Sequence, residues 1–117
     1  MNVAAGAENV AHEIDAVFDA VNQVFNGGFA QFFFNRPLSY RPALAGFRLI
    51  GLPALADLLI KAHAEIMPCG KYLDITDMPR RQFLRLLRLE AKFSKRCGDD
   101  GDVVDAHIKQ YLSRQNA

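Results

Sequence analysis

The chain contains no tryptophan and has two cysteines and five prolines in 117 residues. Two cysteines, Cys69 and Cys97, cannot build a disulfide framework, so free thiols and a reduced cytoplasmic setting are expected. A long uncharged apolar run is also missing. The greasiest stretch, LPALADLLI, is short and carries Asp57, which excludes a membrane span there. The opening residues MNVAAGAENVAHEIDA lack a basic segment followed by an apolar one, so no signal peptide is read. Period-two alternation never persists, so strands are not expected, and without a strand no glycine-rich phosphate loop can be assigned. His12, His63 and His107 fall in three separate predicted helices with no pair at ligand spacing, so neither a metal nor another cofactor is expected. The acidic run DDGDVVD has its glycine third and no closing glutamate, which excludes a calcium loop. Cys97 lacks an evident base and reads as a spectator thiol. These absences leave no catalytic constellation, and a non-enzymatic protein is expected.

Charge is distributed unevenly along the chain. Fourteen bases against thirteen acids give a formal net charge of +1. Residues 1–35 nevertheless hold Glu8, Glu13, Asp15 and Asp19 with no lysine or arginine. The bases concentrate later, at Arg80, Arg81, Arg85, Arg88, Lys92, Lys95 and Arg96, and four aspartates follow at Asp99, Asp100, Asp102 and Asp105.

Half of the residues are hydrophobic and 23% are charged, which is ordinary globular composition. A chain of this length buries roughly two-thirds of its unfolded surface, enough for one core without staples. The pattern predicts an all-α single compact domain, 1–117, of about five helices plus a short Phe-rich helical turn. Residues 1–7 are left outside the predicted helices as a candidate disordered end.

Val10, Ile14, Val17, Phe18, Val21 and Phe25 recur at three- and four-residue steps and define the buried face of a first helix over 8–25. Asn26-Gly27-Gly28 stops it. Phe29 to Phe34 forms the short turn before Pro37. A helix capped by Ser39 runs to Ile50, closed by Gly51, and the next opens at Leu52-Pro53 and ends before Pro68. After a loop over 68–76, Thr76 or Asp77 caps a helix with Pro79 in its first turn, ending at Gly98. Asp102 opens a last helix through about Arg114.

The segment VNQVFNGGFAQFFFN, followed by ALAGFRLIGLPALADLLIKA, resembles the bacterial DNA-mimic-protein-19-like family, domain-of-unknown-function family 4375. Asn26, Gly27, Gly28, Phe29, Gln31, Phe32, Phe33 and Asn35 match the family's glycine–aromatic motif, and Ile50-Gly51 a later helix end. A looser likeness extends over LEAKFSKRCGDDGDVVDAHIKQYLSRQ, so the resemblance covers roughly residues 17–114. It implies an all-helical fold. It also implies a mechanism in which surface carboxylates imitate DNA phosphates and occupy a DNA-binding protein. Duplex DNA carries one charge per ~1.7 Å, and with this composition any such surface is one face of the molecule rather than its whole body.

Read from the residues, Phe29, Phe32 and Phe33 fill the core, while Gln31 and Asn35 satisfy backbone groups opened by the glycine pair. One phenylalanine of the run is left as a candidate docking residue. On the basic helix, Arg81, Arg85, Arg88, Lys92, Lys95 and Arg96 fall within an arc of roughly 100°. Phe83, Leu86, Leu87, Leu89 and Phe93 occupy the other side and are expected to face the core. Three readings fit the ridge: a solvated face, a surface for an acidic protein, or a surface for nucleic acid. Glu90 falls within the apolar arc and needs a partner, such as Tyr40, Tyr72, Gln31 or a helix end.

These features point to a small bacterial protein-binding module, of inhibitor, antagonist or immunity type, that acts by occupying another protein through a charged face. The basic ridge is one candidate face and Glu8, Glu13, Asp15 and Asp19 the other. A nucleic-acid-binding accessory protein using residues 80–96, and a DNA mimic, are the alternatives. Pairing of the two charged faces between copies would give a homodimer.

Overall fold

The computed structural model describes residues 3–115, with side chains from Asn9 onward. Five α-helices account for most of them, and no strand occurs among the described residues. They are α1 (Val3–Asn35), α2 (Tyr40–Leu49), α3 (Pro53–Ile66), α4 (Arg80–Cys97) and α5 (Asp102–Gln115), joined by short 3-10 turns. The backbone is helical from Val3, inside the stretch left out of the predicted helices.

Helix α1 is two arms, 3–27 and 29–35, joined at Gly28, whose φ of 83° and ψ of −179° are non-helical. That region is essentially reserved for glycine. The expected stop and the expected Phe-rich turn are therefore both present. Gly51, at φ +81°, closes α2 as expected: its N–H donates to the Arg48 carbonyl at 3.2 Å, and the Leu52 N–H to the Phe47 carbonyl at 2.8 Å. This pair of bonds satisfies two carbonyls at the helix end. Two expected caps differ. Ser39 precedes α2 but makes no cap, because its hydroxyl donates to Asp19 Oδ2 at 3.0 Å. Pro79, rather than Thr76 or Asp77, stands immediately before α4, and Asp74 caps the preceding turn through the Thr76 N–H at 2.9 Å.

The core is organised by rings. Phe93 of α4 lies edge-on between Phe29 of α1, with centroids 5.3 Å apart, and Phe47 of α2, at 5.9 Å. Phe29, Phe47 and Phe93 are fully buried, as is Phe32, and Phe33 is nearly so. Phe34 remains 69% exposed, the one ring of the run turned outward, where it touches Tyr72.

Two rings placed on the core face of the first helix lie elsewhere. Phe18 and Phe25 are exposed, and Ala16, Ala20 and Val24 are buried with Ile14, Val17 and Val21. The buried arc of α1 is centred near Val17, where α2 comes so close that a Cβ on Gly46 would meet the Glu13 carbonyl oxygen at 2.5 Å and Val17 Cγ2 at 2.6 Å. Phe18 and Phe25 stand about 80–100° around the helix from that centre. On α4, Leu87 is likewise 41% exposed, because the core lies toward Leu86, Phe93 and Cys97.

Candidate functional site

Helices α3 and α4 run antiparallel. At one end, Arg85 donates from Nε and a terminal nitrogen to the two carboxylate oxygens of Glu65, at 3.0 and 3.2 Å. Beside it, Gln82 Nε2 donates to the Glu65 backbone carbonyl at 2.8 Å, one of the carbonyls that a helix end leaves open. At the other end, Ala54 shares a groove with Lys95 and Arg96. Antiparallel register follows directly: residue 65 opposes 85, and residue 54 opposes 95 to 96.

All six ridge residues, Arg81, Arg85, Arg88, Lys92, Lys95 and Arg96, are exposed. The structure places five of them along this α3–α4 groove, with Arg81 beyond its end. It also adds Lys61, which sequence reasoning missed. Ala54, Asp57, Lys61, Ala64 and Glu65 recur at steps of three, four and one on α3, so the signal was there as a helical stripe. Among the described residues, Lys61, Arg88, Lys92, Lys95 and Arg96 make no ion pair, whereas Arg85 is neutralised by Glu65. The groove has a floor of Ala54, Leu58, Ala64 and Leu89, and two acids, Asp57 and Glu65. Same-sign charge held on apolar walls concentrates the field of the groove.

The acids of the first helix do not assemble in the same way. Asp15 is exposed. Asp19 is half-buried, bonded to the Ser39 hydroxyl and 3.9 Å from Arg36. Glu13 is half-buried and lies about 120° around the helix from Asp19. The side chain of Glu8 lies outside the described residues. Asp99, Asp100, Asp102 and Asp105 are exposed at the α4–α5 turn.

The glycine–aromatic motif serves the interior, with one change of partner. Gln31 and Asn35 do not reach the backbone of the turn. Both donate their amides to Gln23 Oε1, at 3.0 and 3.1 Å, while Asn26 and Gly27 are exposed. The open backbone donor at the break is instead satisfied by Glu90, whose Oε1 accepts from the Phe29 N–H at 2.9 Å. Glu90 thus takes a helix end as its partner. Burial raises its carboxyl above the ordinary carboxylate range, and the bond from Phe29 pulls the other way. A Cβ on Gly28 would stand 2.5 Å from the same oxygen, so the glycine leaves room for the carboxylate.

The histidines are apart. His63 stacks on Tyr40, centroids 4.2 Å apart and planes within 4°, with Phe33 edge-on to both. Burial, and then the charge of Arg41, lowers the His63 pKa below the ordinary histidine value. His107 Nδ1 donates to the Ile50 carbonyl at 2.9 Å, and His12 is exposed. Cys97 is buried, which pushes its thiol up to about 12, whereas Cys69 is exposed. No helix among the described residues is long and apolar enough to cross a membrane.

Comparison with known proteins adds one finding. No curated protein and no solved structure matches the chain. The profile of the DMP19-like protein family, however, matches residues 7–115, which takes in all of the glycine–aromatic motif and both walls of the basic groove. The chain belongs to the DMP19-like protein family.

Proposed function

We propose that this protein is a non-enzymatic binding module that occupies an acidic protein surface through the groove between α3 and α4. The observation that carries the reading is the alignment of Lys61, Arg88, Lys92, Lys95 and Arg96 along one groove without an ion pair among the described residues. Like charges held together repel, and exposed pairs contribute under ~1 kcal/mol, so stability alone does not account for the cluster. Such a field speeds encounter with a complementary surface and selects among partners. Occupation of this kind is the action of an antagonist or immunity protein.

The test is retention of cellular proteins by the immobilised chain, compared with Arg88→Glu/Lys92→Glu. A partner held at low salt, released as salt rises and lost with charge reversal supports the reading. Identical retention by both forms ends it.

Family membership supports a second reading, DNA mimicry, in which the exposed carboxylates at Asp15 and along Asp99, Asp100, Asp102 and Asp105 face a DNA-binding protein. Replacing the four turn aspartates with asparagine separates the two readings: loss of the captured partner in that variant, with none in the arginine variant, transfers the function to the acidic face.

A further inference from the structure

We infer that the occupant of the α3–α4 groove is an acidic amphipathic helix of about three turns, an inference that rests on the function proposed above. Shape is the first argument. Two packed antiparallel helices leave a furrow between their outer faces that a third helix fills, with axes about 8–10 Å apart. This furrow runs from the Glu65–Arg85 pair to Ala54 and Arg96, about 16 Å at 1.5 Å per residue.

The floor is the second argument. Ala64 is exposed, and Ala54 and Leu89 are half-buried, so the floor is shallow, small and apolar. Small side chains admit a helix closely, and the apolar surface gives it something to bury. A phosphate backbone gains nothing from that apolar floor. Neither does the groove offer an aromatic ring on which a base would stack.

Charge then sets the pattern of the occupant. Arg88, Lys92 and Lys95 follow one another at one-turn intervals on α4, and Lys61 lies across the groove on α3. The matching helix carries acids about once per turn along its flank, at i, i+4 and i+7, beside an apolar face of the same period.

The test uses the full chain and three labelled probes in fluorescence anisotropy at low and moderate salt. The first is a peptide of about fourteen residues with leucines on one helical face and glutamates along the flank. The second has the same composition with the leucines scattered, and the third is a short DNA duplex. The amphipathic peptide is expected to bind about tenfold tighter than the scattered one or better. Ala64→Trp, at an exposed position, fills the furrow and is expected to remove that preference while leaving the weaker charge-driven binding. Arg88→Glu/Lys92→Glu is expected to remove both. Equal binding of the two peptides, no binding of the amphipathic one, or a preference untouched by Ala64→Trp overturns the helical occupant and leaves the acidic-partner reading standing. Tighter binding of the duplex than of either peptide, or peptide binding untouched by charge reversal, overturns both.

Discussion

Replacing Glu90 with alanine removes the acceptor that the Phe29 N–H uses at the break in α1. The donor belongs to Phe29, which is fully buried, and would be left without its acceptor at the start of the second arm. A hydrogen bond to a charged group contributes about 1.5–3 kcal/mol, and the partial exposure of Glu90 places the expected loss near the low end, about 1–2 kcal/mol. For a domain of this size that lowers Tm by roughly 4–8 °C. Glu90→Gln keeps an oxygen acceptor and is expected to stay within about 0.5 kcal/mol of the parent near neutral pH.

The two variants also differ with pH. Burial dominates the raised Glu90 pKa, so the native protein takes up the proton before the unfolded chain does as pH falls. The charged carboxylate therefore costs stability above its folded pKa, and that cost disappears below it. Between neutral pH and the ordinary value of 4.5, the parent should gain stability relative to Glu90→Gln. Urea titrations of both forms across that window measure the difference. A parent that loses ground to the glutamine form on acidification, or an alanine variant as stable as the parent, refutes the reasoning. Gly28→Ala supplies a cross-check. Its φ of 83° alone costs on the order of 1–3 kcal/mol, and the new methyl meets the Glu90 oxygen. The losses from Gly28→Ala and Glu90→Ala should therefore sum to more than the double variant shows.

Three further outcomes follow from packing and burial. Phe93→Ala, which empties the space between Phe29 and Phe47, should cost about 3–5 kcal/mol in urea unfolding, while Phe34→Ala at the surface should change stability by under about 0.5 kcal/mol. Gly46→Ala drives a methyl into the Glu13 carbonyl and should cost about 1–3 kcal/mol by parting α1 from α2; an unchanged urea midpoint would contradict the close crossing. A thiol reagent at mildly alkaline pH should modify Cys69 alone in the native protein, because Cys97 is buried with its thiol pushed up to about 12, and should modify both in denaturant.

Much of this fold could be read from local chemistry. Gly28, Gly51 and Gly98 end helices where the backbone turns to positive φ, and Pro53 opens one. Phe29, Phe32 and Phe33, on the short arm after the break, are buried because that amphipathic arm has nowhere else to place them. Errors arose where a distant element decided the outcome. Phe18 and Phe25 fit the periodic stripe, but α2 closes on the face centred near Val17 and leaves both rings at its margin. Ser39 has the chemistry of a cap, yet Asp19 from α1 takes its hydroxyl. Glu90 was conspicuous in the apolar arc, but its partner lies 61 residues earlier in the chain. Within the candidate groove, the α4 ridge was legible from spacing alone. The contribution of Lys61, and the loss of Arg85 to Glu65, depend on the antiparallel register of two helices, which periodicity within one helix does not encode.

The link between α3 and α4 offers a practical handle on that groove. Residues 67–79 are mostly exposed, apart from Met78 in the core, Met67, Tyr72 and Leu73 packed partly buried against it, and the Leu73 N–H bond to the Ile66 carbonyl at 2.7 Å. Loop closure depends only logarithmically on length, so doubling such a link costs about 0.6 kcal/mol. Cys69 and Gly70 thus mark a splice point where a fluorophore or affinity tag can be grafted beside the Glu65 end, turning the molecule into its own sensor of what settles there.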